Sequence, residues 1–154
     1  MTAGAGAVLA TGRLQLGGLL MLLTSSIDGL DGSLARETQQ QSRFGAFLDS
    51  TLDRFSEGAV LFGLFLWAMR EDLAMVAAIL FLILLGSVMV SYTRARAEGL
   101  CYACEVGLLT RAVRILILAV GLIVPGILRL ILIAMALLTW FTVAQRMAHV
   151  YRVS

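Results

Sequence analysis

The sequence has little charge, little cysteine and almost no histidine. Only 14% of its 154 residues are charged, against 60% hydrophobic, and the mean hydropathy is +0.92. A chain of this size has too little polar surface to cover a soluble globule, so it belongs in a bilayer. Two cysteines and one histidine are too few for a four-ligand zinc site: Cys101 and Cys104 form an isolated CxxC, and His149 lies far along the chain. The cysteine pair is read as reduced and incidental, and the histidine as an interfacial residue. Lysine is absent, and all twelve basic residues are arginines at the ends of apolar runs. With no continuous basic stripe and no interleaved aromatics, nucleic acid is excluded as a partner. Alternation at period two over about ten residues, the mark of a transmembrane barrel, is missing too.

What is present is a series of long apolar runs. They occupy 14–27, the later part of 46–69, 73–92, 115–127 and 130–145. With their flanks, at about 20 residues per crossing, they predict an all-α integral membrane protein of about five to six transmembrane helices. Residues 1–12, MTAGAGAVLATG, are too short to cross and lack the basic start of a signal peptide. They read as the stub of a helix or a surface segment. No repeat or linker divides the chain, so 1–154 is expected to be a single membrane domain.

The arginines orient it. Arg36, Arg43, Arg54, Arg94, Arg96, Arg111, Arg114, Arg146 and Arg152 fall at one set of connections, and Arg13, Arg70 and Arg129 at the other. The richer set is expected on the cytoplasmic face of the cell membrane.

Four of the five aspartates fall within residues 28–53, DGLDGSLARETQQQSRFGAFLDSTLD. On helices, Asp28 and Asp31 project from one face, and so do Asp49 and Asp53. Acids at helix ends can simply snorkel to water or pair with Arg36, Arg43 and Arg54. Two pairs at helical spacing, in segments where charge is costly, favour function. Four carboxylates brought together repel one another unless cations neutralise them. Hard oxygen donors suit Mg²⁺, with Mn²⁺ or Ca²⁺ as alternatives, and two ions about 4 Å apart could clamp a phosphate. Gly32, Ala35 and Gly45 keep the helix surfaces bare for a ligand's phosphates, and Arg36 offers a planar fork to a phosphate oxygen. Together these residues are suited to a pyrophosphate.

The pattern D-x-x-D-G-x-x-A-R, eight residues, then G-x-x-x-D-x-x-x-D resembles the signature of the CDP-alcohol phosphotransferase family at every fixed position: Asp28, Asp31, Gly32, Ala35, Arg36, Gly45, Asp49 and Asp53. The resemblance implies transfer of a phosphoalcohol group from a CDP-alcohol to a second alcohol, with release of CMP. It implies that Asp28, Asp31, Asp49 and Asp53 hold metal, that Asp31, Gly32, Ala35, Arg36 and Gly45 bind the CDP donor, and that Asp53 is also the general base. SYxRARAE followed by VGLLxRAxR is similar to the branch that takes inositol phosphate. By that resemblance Arg94, Arg96 and Arg114 line an acceptor-phosphate pocket that Arg146 closes. A glycerol phosphate acceptor would use the same arginines. The family also implies a homodimer and six helices, of which the first, holding cytidine, is short or missing here, residues 1–12 being its possible remnant. A non-enzymatic cation-binding or transport protein is the reading from another class. It predicts carboxylates near mid-bilayer on several helices, rather than near one face among arginines.

Overall fold

The computed structural model describes residues 3–24, 42–104, 106–107 and 110–153. Among the described residues six helices are formed: α1 (Ala3–Ala10), α2 (Leu14–Thr24), α3 (Arg43–Arg70), α4 (Ala74–Gly99), α5 (Arg111–Ile123) and α6 (Leu128–Val153). No strand occurs among the described residues.

Short connections at 71–73 and 124–127 turn α3 back into α4 and α5 back into α6. Helix α3 starts at Ser42, whose hydroxyl accepts the Gly45 amide at 2.9 Å and so satisfies one orphan donor of the first turn. It ends in a tight turn in which Asp72 takes φ 54°. Helix α5 stops at Ile123, just before Pro125, and Gly126 at φ 86° turns the chain into α6. The expected crossing over 115–127 is therefore shorter than its apolar run. Proline cannot supply the amide that would carry the helix on, and 13 residues rise only about 20 Å.

Helices α4 and α6, each of 26 residues, are long and apolar enough to cross a bilayer. At 1.5 Å per residue each measures about 39 Å, against about 30 Å of hydrocarbon. Their outer faces carry Met75, Phe81, Leu85, Leu130, Leu137 and Phe141, all exposed. Such faces belong in lipid rather than water.

Residues 1–12 fall on the helical side of the two readings offered by the sequence. Ala3–Ala10 is a helix that buries Ala5 and Leu9 against α3. It runs parallel to α3, with Gly6 beside Ala59 and Gly63, and with the Ala10 carbonyl accepting from Arg70 Nη1 at 2.7 Å. The contact is backbone on backbone: a Cβ on Gly63 would lie 2.0 Å from the Gly6 oxygen. Glycine makes room for a neighbour's side chain where Gly18 meets Leu122 Cβ and where Gly86 meets Thr139 Cγ2. The core enclosed by the helices includes Leu9, Met21, Leu61, Leu64, Leu80, Ile83, Leu118, Leu132 and Met135.

Candidate functional site

Up-and-down topology brings four helix ends together. The start of α3, the end of α4, the start of α5 and the end of α6 border an open cavity of about 690 Å³. Five arginines stand in its wall: Arg54, Arg94, Arg111, Arg114 and Arg146. The remaining lining includes Ser50, Thr51, Ser91, Tyr92 and Thr110, with Glu98 its one carboxylate among the described residues.

Each arginine is held differently. Arg54 donates through Nη1 to Ser91 Oγ, and its buried Nε has no hydrogen-bond partner among the described residues. Arg94 pairs with Glu98 at 2.8 Å, both half exposed and one turn apart on α4. Arg111 Nη1 meets Asp53 Oδ1 at 2.6 Å, while its buried Nε has no hydrogen-bond partner among the described residues. Arg114, 1% exposed, grips Glu57 with Nε to Oε1 at 2.7 Å and Nη2 to Oε2 at 3.0 Å. Arg146 reaches from α6 to the Val106 carbonyl at 2.9 Å and to the Val90 carbonyl. Gly107, at φ 139°, gives it room: a Cβ there would sit 3.2 Å from Arg146 Nε.

Beside this wall, Asp49 is exposed and Asp53 half-buried, one turn apart on α3. Asp53 and the arginine cavity are joined through Arg111. Gly45 lies in the first turn of α3, where Ser42 caps it. Asp28, Asp31, Gly32, Ala35 and Arg36 lie outside the described residues. Among the residues described, no group of three or more His, Cys, Asp and Glu side chains is placed to hold a metal ion.

Of the acceptor arginines expected from sequence, Arg94, Arg114 and Arg146 meet at the cavity. Arg96 does not: it is exposed on α4 and absent from the cavity wall. The helical repeat explains this, since residues two apart point to different faces. Arg54 and Arg111 take part instead. Glu57 was overlooked as well, though its signal is plain: it continues the i, i+4 row of Asp49 and Asp53 by one turn. The isolated CxxC is not a disulfide: Cys101 is exposed and Cys104 buried, and both are free. His149 Nε2 is 3.0 Å from the Ala103 carbonyl, so the last helix ties down that loop.

Comparison with known proteins assigns the family. The chain is 40% identical over 148 residues to archaetidylinositol phosphate synthase of Methanothermobacter thermautotrophicus, covering 93% of this chain and 73% of that relative. Its fold matches the crystal structure of Mycobacterium tuberculosis phosphatidylinositol phosphate synthase with CDP-DAG bound, at a TM-score of 0.90 and 29% identity over 97% of this chain and 80% of the other. The same synthase in complex with manganese and citrate matches at 0.88, also with 29% identity, over 97% and 77% of the two chains. The model of the family described as CDP-alcohol phosphatidyltransferase matches residues 2–147, nearly the whole length, and the chain belongs to that family.

Proposed function

We propose that this transferase moves a phosphatidyl-type group from a CDP-linked lipid to a hydroxyl of inositol phosphate and releases CMP. The observation that carries the reading is the convergence of five arginines from four helices on one cavity, joined to Asp53 by a 2.6 Å ion pair. Planar guanidinium groups suit a phosphate monoester, and a cavity of this size admits a phosphorylated polyol. Relatives and structural neighbours named as inositol phosphate synthases support the same acceptor.

The acceptor phosphate rests among Arg94, Arg114 and Arg146, with Arg54 and Arg111 beside them. Asp53 takes the proton of the attacking hydroxyl, whose oxygen bonds to the lipid-bearing phosphorus as the bond to CMP breaks. Asp31, Gly32, Ala35, Arg36 and Gly45 bind the CDP donor. Asp28, Asp31, Asp49 and Asp53 hold divalent metal, Mg²⁺ or Mn²⁺ and two ions in the full site. Asp49 and Asp53 suit it, being oxygen donors one turn apart with water access. The metal supplies charge stabilisation to the diphosphate and the leaving group. The chain acts as one multi-pass domain of five to six crossings, with the site on the cytoplasmic face, and it works as a homodimer.

The test is CMP release from CDP-diacylglycerol or CDP-archaeol by purified protein with Mg²⁺, offering inositol phosphate, glycerol phosphate or free inositol. Release with inositol phosphate that falls about 10²–10⁴-fold in Asp53→Asn supports the proposal. A preference for glycerol phosphate reassigns the acceptor. Silence with all three, in a protein that still binds Mg²⁺, returns the chain to the cation-binding reading.

A further inference from the structure

Glu57 is an acid buried among helices, outside the chemistry described above. Its side chain is 9% exposed, and both its oxygens are engaged by Arg114. Ser87 of α4 donates to its Oε1 at 2.5 Å. Three helices thus meet at one carboxylate: α3 supplies it, α5 the guanidinium and α4 the hydroxyl. As helix glue the arrangement is wasteful, because a buried ion pair roughly breaks even against apolar residues of the same volume and is costlier still where water is scarce. Its geometry has a different use. A two-pronged carboxylate fixes the plane of a guanidinium, which a single hydrogen bond does not. The guanidinium so fixed belongs to Arg114, which lies in the wall of the 690 Å³ cavity. Arg114 also lines a second cavity of about 10 Å³ together with Glu57, Ser56, Met21 and Arg111, too small to give the side chain another place to go.

We infer that Glu57, seated by Ser87, is a positioning residue that holds the Arg114 guanidinium in the orientation in which it receives the phosphate of the acceptor. The inference rests on the proposed acceptor reading and adds the residue that gives that pocket its shape. Glu57 touches neither substrate in this role. Its loss is therefore read at the acceptor, and only through Arg114.

The test is steady-state kinetics on Glu57→Gln, Ser87→Ala, Arg114→Gln and the double variant Glu57→Gln/Arg114→Gln, with CDP-lipid and inositol phosphate varied separately. Glu57→Gln keeps the volume and one acceptor oxygen while removing the charge. It is expected to raise KM for inositol phosphate about tenfold, with KM for the CDP-lipid unchanged and kcat within about threefold. Ser87→Ala should raise the acceptor KM two- to threefold, and it supplies the answer if Glu57→Gln fails to fold. In the Arg114→Gln background the Glu57 change should add less than twofold. An unchanged acceptor KM in folded Glu57→Gln, or in Ser87→Ala where that must stand in, overturns the inference. So does a second tenfold loss on top of Arg114→Gln. Wild-type protein that releases no CMP with inositol phosphate overturns the acceptor reading itself, a result distinct from either.

Discussion

Two glycines on α3, five residues apart, should respond to the same substitution with opposite signs. Gly58 has open surroundings: among the described residues a Cβ there would meet only Leu84 Cδ1, at 3.9 Å. Replacing glycine by alanine inside a helix is favourable by about 1 kcal/mol. At Gly63 the same methyl would lie 2.0 Å from the Gly6 carbonyl oxygen and 2.9 Å from the Gly6 Cα. Backbone cannot rotate aside as a side chain does, so α1 must move off α3. Overpacking of this kind costs about 1–3 kcal/mol, more than the propensity gain over most of that range. For a domain of this length about 1 kcal/mol moves Tm by roughly 2–4 °C. Gly58→Ala should therefore melt about 2–4 °C above wild type, and Gly63→Ala several degrees below it. The assay is thermal unfolding in detergent followed by circular dichroism. Gly4→Ala in α1, with nothing within 4 Å of its Cβ position among the described residues, should likewise not lower Tm and serves as a second control. A Gly63→Ala protein as stable as Gly58→Ala would refute the docking of α1 described above.

Other outcomes can be checked beside it. Chelation should abolish CMP release and added Mg²⁺ or Mn²⁺ restore it; activity that survives exhaustive chelation would remove metal from the aspartate site. Gly107→Ala places a Cβ 2.9 Å from Thr142 Cγ2 and 3.2 Å from Arg146 Nε at a φ of 139°, so it should displace Arg146. The expected result is a several-fold rise in KM for the acceptor with the donor KM unchanged, read in the same CMP assay; equal changes in both would place Arg146 outside the acceptor pocket. With Cys101 exposed and Cys104 1% exposed, native protein should take up one equivalent of a maleimide and denatured protein two. Two equivalents in the native state would contradict the burial of Cys104.

Apolar runs and arginine placement made much of this legible from sequence. The runs at 73–92 and 130–145 are the cores of α4 and α6, and Arg54, Arg94, Arg111, Arg114 and Arg146 from the richer set do gather at one end of the bundle. What the runs could not convey is where a helix stops: 115–127 is apolar to its end, yet Pro125 and Gly126 set the boundary. Residues 1–12 were ambiguous for a related reason. Glycine and alanine carry almost no hydrophobic signal, and their value lies in letting backbones touch, which needs the partner helix in view. In the site, residue type identified the arginine cluster, but membership of the cavity depends on helical phase. Phase separates Arg94 from Arg96 and admits Arg54 and Arg111. Asp28, Asp31 and Arg36 still rest on the spacing of the motif, since they lie outside the described residues.

The first turn of α5 has one more consequence, for the order in which the protein assembles. That turn contains Arg111 and Arg114 and no acid, and Thr110 gives it no side-chain cap. A helix start already carries partial positive charge from its free amides, so two cations there work against it. The start of α5 is thus opposed by its own charge. The opposing charges come from α3, in Asp53 and Glu57. The N-terminal end of α5 is therefore expected to take shape only as α3 arrives beside it. Folding and the maturation of the arginine cavity become a single event, and a chain in which α3 is misplaced loses its anion-binding wall along with its packing.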